Sequence, residues 1–420
     1  MQSQIHILFV DDEPNVLAAL KRMLRAKHDE WAMDFIESGS KATRMLEEKT
    51  YDVIISDIRM PGMDGAELLT RVKEKYPGII RIALSGQVDL NEVIRSIRAV
   101  HQYISKPCEA DNLIEKIEGA LLSRSVLTDE TMLNLVTEIE SLPVIPRVFQ
   151  EIQLELNSKA PSIDKIASFI TQDVGLVAKI LNLVNSPFFG LPSHIASVHQ
   201  AITMLGLETI ESLVLSTHLF SMYDESTLPN FNLTLLWEHC FRVSNIARLI
   251  AECEGEDRRL VTQCRMAGLL HDVGKLILAS YFPDKYGAVL NIAATKGGPV
   301  YDLERKVYKT SHAEVGAYLM GLWGVSPEVV HGIGYHHSHN KMDRSLTMYL
   351  SVANIIDHNF VVFNDDYVKI KLKSGLAPII HDESKMLKWL KYLEDHWFGV
   401  GEFYSADPES IKNMLTRSKE

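Results

Sequence analysis

The sequence is poor in cysteine, in basic residues and in long apolar runs, and each shortage excludes a class of protein. Its four cysteines lie far apart and form no C-x-x-C pair, so neither a disulfide framework nor a zinc ribbon is expected. No apolar stretch approaches the roughly 20 residues that cross a bilayer. The N-terminal segment MQSQIHILFVDDE lacks the basic region of a signal peptide. These features predict a soluble cytoplasmic protein that has no membrane partner.

Basic residues are outnumbered by acidic ones, 43 Lys and Arg against 55 Asp and Glu, which gives a net charge of −12. Binding to nucleic acid without regard to sequence needs a basic face, so no nucleic-acid partner is predicted. What the chain does have is the composition of a globular protein, 46% hydrophobic and 23% charged, over 420 residues. At roughly 100–200 residues per domain, this length predicts two or three domains. It also has 16 histidines, and their order becomes informative below.

Short apolar runs alternate with amphipathic helical patterns over residues 1–124. The runs that we predict as strands are 5–10, 33–36, 53–56, 79–84 and 102–105. Five strands alternating with helices predict an α/β domain built on a five-stranded parallel sheet, with helices on both faces. Ligands of such sheets bind beyond the carboxyl ends of the strands.

Acidic, hydroxyl and basic residues stand where these strands end. Asp11 and Asp12 follow the first run, and Asp57 follows the third. Three carboxylates in one crevice repel each other unless a cation lies between them, and oxygen ligands suit Mg²⁺. A carboxylate beside Mg²⁺ can take up a phosphoryl group. Ser85 and Lys106, at the ends of the fourth and fifth runs, can contact the phosphate oxygens.

Residues 4–124 resemble the receiver domain of two-component response regulators. The resemblance rests on DD (11–12), SDIRMPGMDG (56–65), LSG (84–86) and YISKP (103–107). It implies a flavodoxin-like fold, a Mg²⁺ ion and a sensor histidine kinase as phosphoryl donor. Carried over by position, the functional residues are the phosphoacceptor Asp57, the metal-binding Asp11, Asp12 and Asp57, the phosphate contacts Ser85 and Lys106, and the switch residue Tyr103.

An apolar stripe without Gly or Pro between Leu121 and Ser141 predicts a helical linker over residues 125–140. Two interpretations of this stripe stay open. It forms the seam of a parallel helical homodimer, or it packs on the domain that follows. Pro143 and Pro146 then break the helix and mark the entry to that domain.

Residues 141–360 read as consecutive amphipathic helices with little strand-like alternation, which predicts an all-α domain. Imidazoles and carboxylates together suit a transition-metal site. The candidates, in chain order, are His239, His271, Asp272, His312, His336, His337 and Asp357. A metal held by them would acidify a bound water into a nucleophile for a phosphoester. The alternative is a buried polar network that fixes the positions of the helices.

This ordered set resembles the HD phosphohydrolase superfamily, and residues 138–360 resemble more closely its HDOD family, the HD-related output domain. The HDOD resemblance rests on SLPVIPRVFQEI (141–152), LVNSPFFG (183–190), AITMLGLETI (201–210), LWEHC (236–240), AGLLHDVGKL (267–276), HAEVGAYLMGLWGVSPEVV (312–330) and HH (336–337). The superfamily implies Fe, Mn or Zn at the seven candidate residues. Catalytic HD-GYP phosphodiesterases share the ligand order and have a Lys where Lys275 stands. This chain lacks their GYP signature, and Ser338 follows the His pair where those enzymes have Glu.

Two functions follow from these resemblances. The favoured one is a response regulator, phosphorylated on Asp57, whose HDOD domain (141–360) signals through contacts with a downstream protein that the sequence does not identify. The alternative is a metal-dependent phosphodiesterase for cyclic di-GMP or a related phosphoester, gated by the receiver, in which Lys275 belongs to the active site. Residues 361–420 are predicted to be a helical extension that packs on the HDOD domain.

Overall fold

The computed structural model describes most of the chain. The described residues are 4–85, 99–106, 108–125, 146–156, 158, 160–185, 189, 194–221, 223, 231–296, 298–338, 345–362, 383–397 and 402–403. They divide into two compact units. The first comprises residues 1–162 with 319–327, and the second comprises residues 163–318 with 328–420.

A five-stranded parallel sheet forms the centre of the first unit. Its strands are β1 (Ile5–Val10), β2 (Trp31–Ile36), β3 (Val53–Asp57), β4 (Ile80–Ser85) and β5 (Gln102–Ser105). Their order across the sheet is β2-β1-β3-β4-β5, and every neighbouring pair is parallel. This is the flavodoxin-like order, so the predicted α/β fold is confirmed.

The helices described in the first unit are α1 (Pro14–Met23), α2 (Gly39–Glu48), α3 (Gly65–Lys75), α4 (Ala110–Ser125) and α5 (Arg147–Leu156). Side-chain caps fix two of their starts. The Ser38 hydroxyl accepts a hydrogen bond from the backbone of Lys41, and the Asp64 carboxylate accepts one from the backbone of Glu67. The central strands β1 and β3 are buried, which explains why they read as continuous apolar runs.

Three predictions fall outside the described part of the chain. The side chains of Ser85 and Tyr103 are not described, although their backbones lie in β4 and β5. The predicted linker, apart from Ser125, lies in the undescribed segment 126–145. The alternatives of a dimer seam and a packing surface therefore both remain predictions.

The second unit is helical. Its helices are α6 (Ile163–Thr171), α7 (Val174–Val184), α8 (Val198–Leu205), α9 (Leu207–Ser221), α10 (Leu233–Cys253), α11 (Arg258–Leu270), α12 (Val273–Tyr281), α13 (Pro283–Lys296), α14 (Val300–Tyr308), α15 (His312–Leu322), α16 (Pro327–Tyr335), α17 (Ser345–Phe360) and α18 (Glu383–His396). The boundary between the units falls within helix α15, whose residues 312–318 belong to the second unit and 319–322 to the first. The described strands here are the two-residue pair β6 (Val361–Val362) and β7 (Glu402–Phe403). The predicted all-α domain is confirmed.

Helix α10 is the centre of the second unit. It has 21 residues, and α11, α17 and α18 pack against it. Trp389 of α18 is fully buried, and its indole N–H donates a hydrogen bond of 2.8 Å to Glu254, directly after α10. Among the described helices, none alone has the length and apolar composition to span a membrane. Only α6 and α7 taken together pass that test, and they are bent by 115°.

Candidate functional site

The first cluster lies at the carboxyl edge of the parallel sheet. The register pairs Val10 of β1 with Ser56 of β3, so the next residues, Asp11 and Asp57, lie side by side. Both carboxylates are largely buried, and Asp12 beside them is partly exposed. One oxygen of each of these three residues lies within 4.8 Å of the others. The structure therefore brings together the three acids that the sequence predicted as one site.

Lys106, directly after β5, joins two of these acids. Its Nζ lies 2.6 Å from Asp11 Oδ2 and 2.7 Å from Asp57 Oδ1. Burial alone would lower the pKa of Lys106, but its hydrogen bonds to both carboxylates outweigh that effect and raise it. Burial raises the pKa of Asp57, and the Lys106 ammonium opposes that rise. A phosphoryl group on Asp57 would therefore meet a fixed positive charge.

The loop after β3 holds the other oxygen of Asp57. The backbone N–H of Arg59 donates to Asp57 Oδ2 over 3.1 Å. At Gly65 the loop returns so closely that a Cβ would lie 1.9 Å from the carbonyl oxygen of Asp57. Only glycine permits this approach. The acidic set, open on the side of Asp12, offers the oxygen ligands that Mg²⁺ prefers.

The second cluster gathers the seven predicted HD residues from five places in the chain. His239 lies on α10, and His271 and Asp272 form the junction between α11 and α12. His312 is the first residue of α15, while His336 and His337 directly follow α16 and Asp357 lies on α17. All seven are buried except His337, which is partly exposed.

Asp272 stands between two groups of histidines. Its Oδ2 lies 3.4 Å from His239 Nε2 and 3.5 Å from His271 Nε2. Its Oδ1 lies 3.1 Å from His312 Nε2 and 3.9 Å from His336 Nε2. The carboxylate therefore presents one oxygen to each group. Lys275 is 2.5 Å from Oδ2 and offsets part of its charge.

The histidines aim the same ring nitrogen at this centre. Nδ1 of His271 bonds the carbonyl of Gly268 at 2.8 Å, and Nδ1 of His336 bonds the carbonyl of Ile333 at 2.7 Å. Since a carbonyl oxygen only accepts, both Nδ1 atoms carry the proton, and in the neutral rings each Nε2 keeps a lone pair. His336 Nε2 is buried and makes no hydrogen bond within the described residues. Because these nitrogen lone pairs and the Asp272 carboxylate face one another, the site is suited to binding a cation.

Burial keeps part of the cluster neutral. It lowers the pKa of His271 to about 4, and it holds the pKa of His336 and His337 well below the usual value. His239 and His312 differ because each contacts a carboxylate, which outweighs burial and raises the pKa of both rings. Proton and metal would therefore compete for the Nε2 atoms of these two residues.

Asp357 lies behind His239. Its Oδ2 is 2.7 Å from His239 Nδ1, on the side of the ring away from His271. The guanidinium of Arg242 donates to Oδ1 over 2.6 Å and to Oδ2 over 3.2 Å. Although burial opposes ionisation, His239 and Arg242 hold the pKa of Asp357 below its usual range. In this arrangement Asp357 orients His239, and its role as a direct metal ligand stays a prediction.

Glu304 lies behind His312 in a similar way. This fully buried residue of α14 has its Oε2 2.6 Å from His312 Nδ1. The N-terminus of α15 is fixed further by Glu314, whose Oε2 accepts from the backbone N–H of Ser311 over 2.9 Å. Helix α12 approaches the same point, because a Cβ at Gly274 would lie 1.9 Å from the carbonyl oxygen of His312. A glycine is required there.

Sequence reasoning missed Arg242 and Glu304. Arg242 follows His239 by three residues on one helix, and this spacing on a buried face is a signal that could have identified it. Glu304 gives no such signal. It lies in VYDLERKVY, among charged residues that the structure places in solvent.

Comparison with known proteins identifies both regions. The family model described as the response regulator receiver domain matches residues 7–118, and the model described as the HDOD domain matches residues 142–339. An uncharacterized protein from Treponema pallidum is 28% identical over 311 residues, which are 72% of this chain and 57% of that protein. The hydrogenase transcriptional regulatory protein HoxA from Cupriavidus necator is 34% identical over 134 residues, 31% of this chain and 27% of that protein.

Among solved structures, the signal receiver domain of an HD domain-containing protein from Pseudomonas fluorescens Pf-5 is 30% identical. It covers 27% of this chain and 90% of its own, with a TM-score of 0.26. The chain spans 57% of the Treponema pallidum relative and 27% of HoxA. The two family models match adjoining regions in the predicted order. The chain therefore has a response regulator receiver domain followed by an HDOD domain.

Proposed function

We propose that a sensor histidine kinase phosphorylates Asp57 and that the HDOD domain passes the signal on through contacts with another protein. The observation that carries the proposal is the position of Lys106 Nζ, which lies within 2.7 Å of both Asp11 and Asp57. A receiver domain implies a phosphoryl donor of this kind. The downstream protein is not identified by any feature of the chain.

The chemistry follows from the surroundings of Asp57. A carboxylate oxygen of Asp57 attacks the phosphorus of a phosphohistidine, a P–O bond forms, and the P–N bond breaks as the imidazole of the kinase leaves. Mg²⁺ held by Asp11, Asp12 and Asp57 would offset the negative charge of the incoming group. Lys106 would exchange one carboxylate contact for a phosphate oxygen. Ser85 and Tyr103 are proposed to contact the phosphate and to change rotamer, respectively.

Acetyl phosphate labelling tests this proposal. The full chain, incubated with acetyl phosphate and Mg²⁺, should gain one phosphoryl group by intact mass spectrometry, and Asp57→Ala should gain none. Asp64→Asn is the matched control, since Asp64 caps α3 in the same loop and should leave labelling intact. Labelling that persists in Asp57→Ala would overturn the assignment.

We also propose that the second cluster binds two divalent ions of Fe, Mn or Zn. One station consists of His239, His271 and Asp272, with Asp357 as a further predicted ligand, and the other of His312, His336 and His337. Within each of these groups of three, the ligand atoms lie within 4.8 Å of one another. The Oδ1 atom of Asp272 makes no hydrogen bond in the described residues, although it is buried, and it faces the second station. These donors suit the proposed metals.

The metal centre also supports the alternative function. Bound metals would lower the pKa of a water molecule enough to attack a phosphoester. Lys275 lies at the edge of the centre and can contact a phosphate oxygen. Elemental analysis of protein loaded with Mn²⁺ or Fe²⁺, followed by assays on cyclic di-GMP and a model phosphodiester, separates the functions. Hydrolysis supports the phosphodiesterase, loaded but inactive protein rejects it, and failure to bind any metal rejects both the metal centre and the enzyme.

A further inference from the structure

Glu304 is a buried acid that no predicted site includes. Its side chain is fully buried on α14. The Oε2 atom accepts from His312 twice, from Nδ1 over 2.6 Å and from the backbone N–H over 2.8 Å. The hydroxyl of Tyr286 donates to Oε1 over 3.2 Å. Burying a carboxylate is costly, so three converging donors indicate a position that is held firmly.

The bond to His312 decides which ring nitrogen is available. Because the Glu304 carboxylate accepts from Nδ1, the neutral ring carries its proton there and leaves a lone pair on Nε2. That Nε2 atom lies 3.1 Å from Asp272 Oδ1 and 3.1 Å from His337 Nε2. The carboxylate therefore points the imidazole into the second cluster with its donor atom exposed.

The two carboxylate–histidine pairs differ in the other hydrogen-bond donors to the carboxylate. Asp357 contacts His239 in the same manner, but Arg242 shares that carboxylate. The hydrogen bonds that the described residues give Glu304 come from His312 and Tyr286, neither of which is a lysine or an arginine. A carboxylate that accepts a hydrogen bond from an imidazole increases the electron density on the ring and strengthens it as a ligand. Lys275 acts on Glu304 through its charge and makes no described hydrogen bond to it.

We propose that Glu304 is a positioning residue that holds His312 as a ligand of the second metal ion. The proposal rests on the metal centre proposed above and deepens it, since it assigns the orientation of one ligand to a residue outside the motif. Glu304 itself lies on the far side of the imidazole from the metal station. It acts only through His312.

Metal titration of the full chain tests this role. Glu304→Gln preserves shape and removes the charge, so one of two bound Mn²⁺ or Co²⁺ ions should bind roughly 10–100-fold more weakly while the other keeps its affinity. Glu314→Gln is the matched control, because Glu314 fixes the N-terminus of α15 without contacting the His312 ring in the described contacts. Equal affinities in wild type and Glu304→Gln, or equal losses in both variants, would overturn the proposal.

A measurement on the metal-free chain separates this proposal from the metal centre itself. Nitrogen NMR of ¹⁵N-histidine-labelled protein, at a pH where the ring is neutral, should show His312 with its proton on Nδ1. Glu304→Ala should lose this single tautomer, and His312→Asn should assign the signal. An unchanged tautomer in a folded Glu304→Ala protein contradicts the role of Glu304. Absence of metal binding by wild type contradicts the metal centre and leaves the NMR result to decide what Glu304 does.

Discussion

Both clusters of this molecule contain buried carboxylates, and they differ in the groups that surround the negative charge. In the receiver, Asp11 and Asp57 lie side by side, and the protein supplies its own cation between them, Lys106. In the HDOD domain, imidazole nitrogens surround both oxygens of Asp272, and Lys275 contacts its Oδ2 atom. Lys106 offsets part of the charge of the first cluster without a metal, whereas the imidazole lone pairs of the second cluster are donors for the proposed metal ions. We therefore expect the proposed Mg²⁺ ion of the receiver to bind and leave without unfolding that domain. We expect the proposed ions of the HDOD domain to stabilise its fold.

Asp272→Asn should give the largest difference between the clusters. Asp272 presents one oxygen to each group of histidines, so its replacement by a neutral amide removes a shared anion and should abolish binding of both proposed ions. Elemental analysis for Fe, Mn or Zn checks this, with Asp57→Asn as the control that should keep both of these ions. If Asp57→Asn also lost these ions, the two clusters would not be independent.

Lys106→Met should have an intermediate effect, confined to the receiver. A hydrogen bond to a charged group is worth about 1.5–3 kcal/mol, so losing the ammonium should slow acetyl phosphate labelling roughly 10–100-fold. The rate is followed by mass spectrometry, and the exposed Lys41→Met serves as the charge-matched control. An undiminished rate would mean that Lys106 only neutralises the resting carboxylates.

Removal of metal should change the stability of the HDOD domain and leave the receiver nearly unaffected. Mn²⁺ at a hundred times its dissociation constant stabilises a folded unit by about 2.7 kcal/mol per ion. Chelation should therefore lower hydrogen-exchange protection of α10 by an amount of that order. Protection of β3 should hardly change, because Lys106 remains between Asp11 and Asp57. A larger loss in β3 than in α10 would reverse the comparison.

Much of the receiver could be predicted from the sequence because its signals are local. Each strand begins and ends within two residues of its predicted run, as the apolar residues of a sheet covered on both faces are contiguous. Parallel pairing then brings Asp11 and Asp57 together without further information.

The contacts behind the ligands could not be predicted, because they depend on how separate helices pack. Glu304 is eight residues from His312, yet their contact requires the turn between α14 and α15 and the burial of α14 against α13. In the sequence, Glu304 is indistinguishable from its exposed neighbours Asp302 and Arg305. The spacing of a motif identifies residues that could bind the same ion. It does not identify the residues that orient those ligands by hydrogen bonds.

The close approach at Gly274 has a consequence for sorting related sequences. Any larger residue two positions after the Asp of the His-Asp pair would push α12 away from the carbonyl of His312, since its Cβ would overlap that oxygen. The imidazole would then withdraw from Asp272, and only the half of the centre around His239 could assemble. The residue at this position can thus be used to separate chains that could build the proposed paired metal centre from chains that could hold at most one ion, before a structure of either is determined.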